Sequence, residues 1–367
     1  MRCTFCLTFD NTNNATCAVC GAPLPLSATS HADAKPLIAP TSSTRCLVTP
    51  PKRTNNETKL SHIVAIETAC DVLATTFLRN TRRGETEIAA LFDDGSALSW
   101  RFQNRDVSPI EERELLAPLR HAPTLAAFND EIAWTAHDEI LTMRSLPTCA
   151  ISNDHTSSTR CSQFAFSTPV FRLATSTQSA HVAIATDDGQ VYLLAFENDE
   201  IGILWSVDTL SGVTALAVSG DCAKIAIGND SGHLALHNRH DARDCWTTDT
   251  QSLWVANAAF SPNANALAIV DCNGLLQIRA AQNSASLQTT TLGFAPDALC
   301  FLNDNRHLIA ADEHQFCLVD SWTGHTVSQS LSTVDNSTKS VSVGVCSASE
   351  ENLFAVCSAR EIQLWRF

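Results

Sequence analysis

The stretch His181–Phe196, HVAIATDDGQVYLLAF, constrains this chain more than any other. It reads as strand, tight turn, strand. Val182 and Ile184, then Val191 and Leu193, alternate with smaller or polar residues, the period-two pattern of a half-buried strand. Asp187-Asp188-Gly189 between them suits a hairpin turn, because glycine accepts the positive φ that such turns need. The same pattern recurs at Ile88–Phe102, Glu131–Ser145, Lys224–Asn238, Ala266–Ala280, His307–Ser321 and Leu353–Phe367. Successive copies are mostly about 40–45 residues apart, which is room for four short strands per unit. The Glu131–Ser145 copy is the poorest, and the step after it carries a Ser/Thr-rich insertion, Thr148–Ser162, expected as a surface loop.

Each hairpin follows another apolar segment, such as Val213–Ser219, Val255–Asn263, Leu299–Asp304 and Val343–Ser349. These are expected as innermost strands. Polar segments after the hairpins, such as Cys245–Thr250, can serve as outer strands. Repeats of this length and content predict an all-β propeller of seven blades, with six or eight as the alternative. The Phe260-Ser261-Pro262-Asn263 turn, the Asp-x-Gly hairpins and strand ends such as Trp100-Arg101, Val319-Asp320 and Trp365-Arg366 resemble the WD-repeat β-propeller family over about residues 59–367. The chain stops at the third strand of the seventh unit. Leu60–Glu67, ahead of the first inner strand Cys70–Leu78, can supply the missing outer strand. Propellers of that family close in this way, which removes an exposed sheet edge.

Residues 1–25 carry a different signal. Cys3, Cys6, Cys17 and Cys20 form C-x₂-C-x₁₀-C-x₂-C. Two such knuckles present four thiolates to one metal, a closed tetrahedral zinc site that is structural rather than catalytic. A segment this short cannot bury a core, so the binding energy of one Zn²⁺ becomes its folding energy. The spacing, with Gly21-Ala22-Pro23 after it, resembles the zinc finger of nuclear-pore Ran-binding proteins and its ubiquitin-binding relatives. That resemblance implies a docking surface after the second cysteine, at Leu7, Thr8 and Phe9. Ubiquitin binders have Thr-Phe there, which stands one place late as Thr8-Phe9; Ran binders have Leu-Val, nearest to Leu7-Thr8. RNA binders have a Trp and an Arg pair where this chain has Asn11 and Asn13-Asn14, so RNA is not favoured. A finger that packs on a protein neighbour or on its own propeller is the remaining reading. Residues 26–58 are rich in Pro, Ser, Thr and Ala and read as an extended linker.

Charge divides along the same boundary. The net charge is −15. Residues 1–59 hold six Lys/Arg against three Asp/Glu, and residues 60–367 hold 18 against 36. The acidic part suits nucleic acid poorly; an RNA contact, if any, would fall to the linker cations Lys35, Arg45, Lys52, Arg53 and Lys59. No apolar run is long enough to span a membrane, and MRCTFC lacks the apolar core of a signal peptide, so the expected setting is intracellular, cytoplasmic or nuclear. Eleven of the 15 cysteines lie outside the finger and are expected as reduced, buried packing residues.

No catalytic constellation emerges. The acid pairs Asp93-Asp94 and Asp187-Asp188 and the single Asp230 all fall in hairpin turns, where Asp bonds its own backbone. His233 and His237 share a strand face near His240, without a recognised metal spacing. No phosphate loop or nucleophile elbow occurs. Trp205, Trp246 and Trp254 fall in loops or outer strands of the third to fifth units and are candidate partner contacts, or else pack between blades. The expectation is a non-enzymatic interaction scaffold that docks proteins, with no small-molecule substrate, in a multi-subunit assembly. An adaptor that reads ubiquitin or Ran and a ribonucleoprotein subunit are the alternatives.

Overall fold

The chain divides into two compact units, Met1–Lys59 and Leu60–Phe367. A computed structural model describes residues 60–78, 85–103, 109, 111–147, 160–250, 254–330, 344–347, 353–358 and 360–367, all in the second unit. The finger and linker lie outside the described residues, with Cys3, Cys6, Cys17, Cys20, Leu7, Thr8 and Phe9 among them.

The second unit is all-β. β1 (Ser61–Glu67) comes first in sequence and belongs to the last blade. Blade 1 is β2 (Val72–Leu78), β3 (Glu85–Phe92), β4 (Ala97–Gln103) and β5 (Glu111–Leu116). Blade 2 is β6 (Leu125–Phe128), β7 (Ile132–His137), β8 (Ile140–Ser145) and β9 (Cys161–Ala165). Blade 3 is β10 (Val170–Thr175), β11 (His181–Thr186), β12 (Gln190–Glu197) and β13 (Glu200–Asp208). Blade 4 is β14 (Val213–Val218), β15 (Lys224–Asn229), β16 (His233–Asn238) and β17 (Asp241–Asp249). Blade 5 is β18 (Val255–Phe260), β19 (Ala266–Asp271), β20 (Leu275–Ala280) and β21 (Ser286–Thr291). Blade 6 is β22 (Ala298–Phe301), β23 (His307–Ala311), β24 (Gln315–Asp320) and β25 (Thr326–Ser330). Blade 7 is β26 (Gly344–Ser347), β27 (Leu353–Ser358) and β28 (Glu361–Arg366), with β1 as its outer strand.

Burial explains why the middle strands were the legible ones. β11 and β19 are buried at every residue, because each blade is covered on both faces by its neighbours. Outer strands such as β17 are largely exposed or half-buried and read as polar. Among the described residues, the core is divided among seven apolar clusters, one at each blade-to-blade interface. Close approach selects small residues there. A Cβ added to Gly228 on β15 would meet Cβ of Val255 on β18 at 2.7 Å.

The ring closes as the sequence implies. β1 pairs antiparallel with β28, from Ser61 opposite Arg366 to Glu67 opposite Glu361. Ile66 is buried in the cluster that joins blades 7 and 1, with Val72, Phe77 and Ile362. The insertion expectation needs a correction. Residues 148–159 lie outside the described residues, but Cys161 and Ser162 belong to β9, where they pair with Arg144 and Met143 of β8. That pairing supplies blade 2 with its outer strand.

Each blade runs up and down in sequence order from its inner to its outer strand. The turn between the two middle strands therefore emerges on the same face as the linker that carries the outer strand to the next blade. We call this the linker face. Four inner strands share one irregularity: the register skips Leu73, Phe171, Thr214 and Ala256, each the second residue of its strand, next to a linker. Such bulges re-aim a side chain.

Candidate functional site

The linker face is built by a repeated hydrogen-bond stitch. The first linker residue donates its N–H to the hairpin turn of the blade just left. The next blade's turn donates back to the end of the linker. Between blades 3 and 4, Thr209 N donates to Gly189 O at 3.2 Å and Asp230 N donates to Gly212 O at 3.0 Å. Between blades 4 and 5, Thr250 N donates to Gly232 O at 2.9 Å and Cys272 N donates to Trp254 O at 3.4 Å. The threonine hydroxyls repeat the contact, Thr209 Oγ1 to Gly189 O at 2.9 Å and Thr250 Oγ1 to Gly232 O at 3.0 Å. Gly189 is required twice over: its φ is +82° and a Cβ there would meet Ser211 O at 2.9 Å.

Leu210 sits at the crest of the first of these linkers. Its N–H donates to Asp208 Oδ1 at 2.8 Å, and Asn229 Nδ2 donates to Ser211 Oγ at 2.6 Å. The residues around it are thus tied down, while the leucine side chain is 91% exposed. Its φ is +57°, the left-handed region. That conformation costs a bulky residue about 1–2 kcal/mol. An apolar side chain held in strain and in water makes this crest the candidate contact point. Of the six large apolar residues exposed among the described residues, four lie on this face: Leu210, Trp254 at 45%, Phe171 at 48% and Ile140 at 41%. The other two, Ile203 and Leu204, lie on the outer strand of blade 3.

The same face is acidic. Asp93-Asp94, Asp138-Glu139, Asp187-Asp188, Asp230 and Asp312-Glu313 all stand in its hairpin turns. Several serve the turn itself: Asp94 Oδ1 accepts from Ser96 N at 2.8 Å, and Asp188 Oδ1 accepts from Thr186 Oγ1 at 2.6 Å. The hydroxyl of Thr186 holds the Asp188 carboxyl below its ordinary pKa. Asp297, at the end of the linker into blade 6, goes the other way. Burial, then repulsion from Asp312 and Glu313, pushes its carboxyl up, and Arg172 of blade 3 only partly offsets this. The Arg172 guanidinium also lies 5.1 Å from the centre of the Phe171 ring.

The tryptophans named from the sequence part company. Trp205 Nε1 donates to Arg239 O, and Trp246 Nε1 donates to Ala281 O, both at 3.1 Å. Each runs from an outer strand to a turn of the following blade, so both act as inter-blade clamps. Trp254 alone of the three is on the exposed surface. The histidines also separate: His233 Nδ1 faces Asp249 Oδ1 at 3.2 Å, and buried His237 uses Nδ1 on Ala242 O at 2.7 Å. Among the described residues, no group of three or more His, Cys, Asp or Glu is arranged to hold a metal. The cysteine expectation holds in part. Cys222, Cys317 and Cys357 are buried, but Cys161 and Cys245 are exposed, because both stand on rim strands. Burial pushes the Cys222 thiol up to about 11 and the Cys300 and Cys317 thiols up to about 12, far from reactive thiolates.

Leu210 was not among the residues named from sequence. Its signal was a repeated Asp-Thr-x-Ser, at Asp208–Ser211 and again at 249–252, in which x is apolar only in the first copy.

No protein-family model matches the chain. No curated protein matches either. Among solved structures, the chain is similar to the β-propeller domain of Cps50 (Swd1) from Myceliophteria thermophila, with a TM-score of 0.63 and 12% identity. The match covers 84% of this chain and 100% of that one. The fold is a seven-bladed β-propeller. Among the described residues, no helix is long and apolar enough to cross a membrane.

Proposed function

We propose that this protein is a non-enzymatic docking scaffold, a subunit of a larger intracellular assembly. The propeller holds one partner against its linker face. The Cys3/Cys6/Cys17/Cys20 zinc module supplies a second docking point on its linker. The observation that carries the reading is Leu210, 91% exposed at φ +57° on a linker stitched to both neighbouring blades. A rigid crest loses little entropy when it is covered, so apolar burial there goes into affinity. A tethered second contact raises avidity without any new interface. The acid pairs and histidines are engaged in turns and strands, and the buried thiols are pushed up, which agrees with a binding role rather than a catalytic one.

Affinity purification of the tagged full-length chain at mild salt, beside a Cys3→Ser/Cys6→Ser version, tests this reading. A stoichiometric protein set held by both versions places docking on the propeller; proteins lost from the mutant alone are ligands of the finger. Recovery of the chain with no stoichiometric protein would overturn the proposal.

A further inference from the structure

We propose that the linker face of blades 3 to 5 takes an extended segment of a partner protein that combines an apolar anchor with flanking lysines or arginines. This rests on the docking reading above and specifies the chemistry of the partner.

Two observations meet at Leu210. The first is apolar. Leu210 and Trp254 stand on consecutive linkers, and Phe171 stands at the bulge of the preceding inner strand, next to its own linker. All three lie on the linker face of adjacent blades, and all are exposed by two-fifths or more. The second is electrostatic. The linker that carries Leu210 is bonded to the Asp187-Asp188-Gly189 turn on one side and to the Asp230 turn on the other. Asp187, Asp188 and Asp230 are all exposed. The leucine therefore rises between carboxylates of two blades. Around the ring, burial and then repulsion from Asp312 and Glu313 raise the pKa of Asp297, with Arg172 lowering it in part.

Charge selects among occupants. Carboxylates beside an apolar crest repel phosphate, so neither a nucleic acid nor an anionic lipid surface is favoured here. A neutral apolar segment would leave the acids without countercharge. A cationic segment answers both features: its anchor covers Leu210 and Trp254, and its lysines or arginines lie over the turns. The loop is preorganised by the Asp208, Thr209 and Ser211 bonds, so it need not reorder to bind.

The test uses the full-length chain and a phage-displayed library of random dodecapeptides. Enriched sequences are synthesised with a fluorophore, and their affinity is read by anisotropy at two salt concentrations. The variants are Leu210→Ser alone, Leu210→Ser with Trp254→Ser, Asp187→Asn with Asp230→Asn, and the blade 3 rim pair Ile203→Ser with Leu204→Ser. The expected consensus is cationic with one aromatic or branched apolar residue. Affinity should fall at least about tenfold in the double linker variant and severalfold in Leu210→Ser, as for a central apolar anchor. The asparagine pair should weaken binding and flatten its salt dependence, and the rim pair should leave it unchanged. Leu210→Ser, at a fully exposed position, should keep the wild-type melting temperature. An acidic or uncharged consensus overturns the proposal, as does binding indifferent to Leu210→Ser. Peptides lost only from the rim variant would overturn it while leaving the docking reading in place. A library with no enriched sequence would count against both.

Discussion

Ile66→Ala probes the closure of the ring. Ile66 is 8% exposed on β1, directly opposite Ile362 of β28, and packs into the cluster shared by blades 7 and 1. Truncating a buried isoleucine to alanine costs about 2–5 kcal/mol. β1 is a rim strand and can relax inward, so the lower part of that range, about 2–3 kcal/mol, is expected. For a unit the size of Leu60–Phe367, an unfolding entropy of about 2.1 cal/mol/K per residue converts this to a fall of about 4 °C in Tm. Glu67 pairs with Glu361, a contact between opposite ends of the propeller chain. Contacts that distant in sequence form late, so the variant should mainly speed unfolding rather than slow folding. Urea denaturation followed by tryptophan fluorescence, with stopped-flow unfolding, reads both effects; Ser61→Ala, exposed on the same strand, is the control. A cost below about 0.5 kcal/mol would refute the reasoning, because β1 would then not be packed as the fourth strand of blade 7.

Four further outcomes are expected. Arg144 is buried, donates to Ala117 O at 2.7 Å and also to Gly95 O, so Arg144→Met leaves both carbonyls without that donor and should cost about 2–4 kcal/mol by denaturant melts. Gly228→Ala should destabilise by about 1–3 kcal/mol through its clash with Val255, and a second change, Val255→Ala, should recover part of the loss. Alkylation at pH 8 with site-resolved mass spectrometry should label Cys161 and Cys245 quickly and spare Cys222, Cys300 and Cys317 until the protein is denatured. Elemental analysis of the purified chain should find one zinc per molecule, lost in Cys3→Ser/Cys6→Ser with no change in the Tm of the propeller.

The parts of the fold that were legible in the sequence are those where one residue type does one physical task. The hairpins announce themselves because glycine marks a positive φ, as at Gly95, Gly189, Gly232 and Gly274. Blade 2 was the poorest because Asp138 takes that role, at φ +49°, in a two-residue turn without glycine. Cys161 and Ser162, the start of β9, read as loop because the exposed alternation there is that of any polar segment; only the pairing with β8 makes them part of a strand. The tryptophans show the limit for the site. Trp205 and Trp246 look like surface anchors on polar rim strands, yet each indole N–H finds a carbonyl 34 or 35 residues away, a partner no local pattern specifies. Leu210 was missed for the opposite reason. Its significance lies in a backbone angle and in exposure, and neither is written in the residue's own type.

Size-exclusion chromatography of native extract, with the tagged chain detected in each fraction, decides whether the linker face holds the chain in an assembly. The wild-type chain should elute well above its 39.6 kDa, and Leu210→Ser with Trp254→Ser should shift a substantial part of it toward the monomer. Elution of the wild-type chain as a free monomer would contradict the docking role, and an unchanged large assembly in the double variant would contradict the linker face as the surface that holds it.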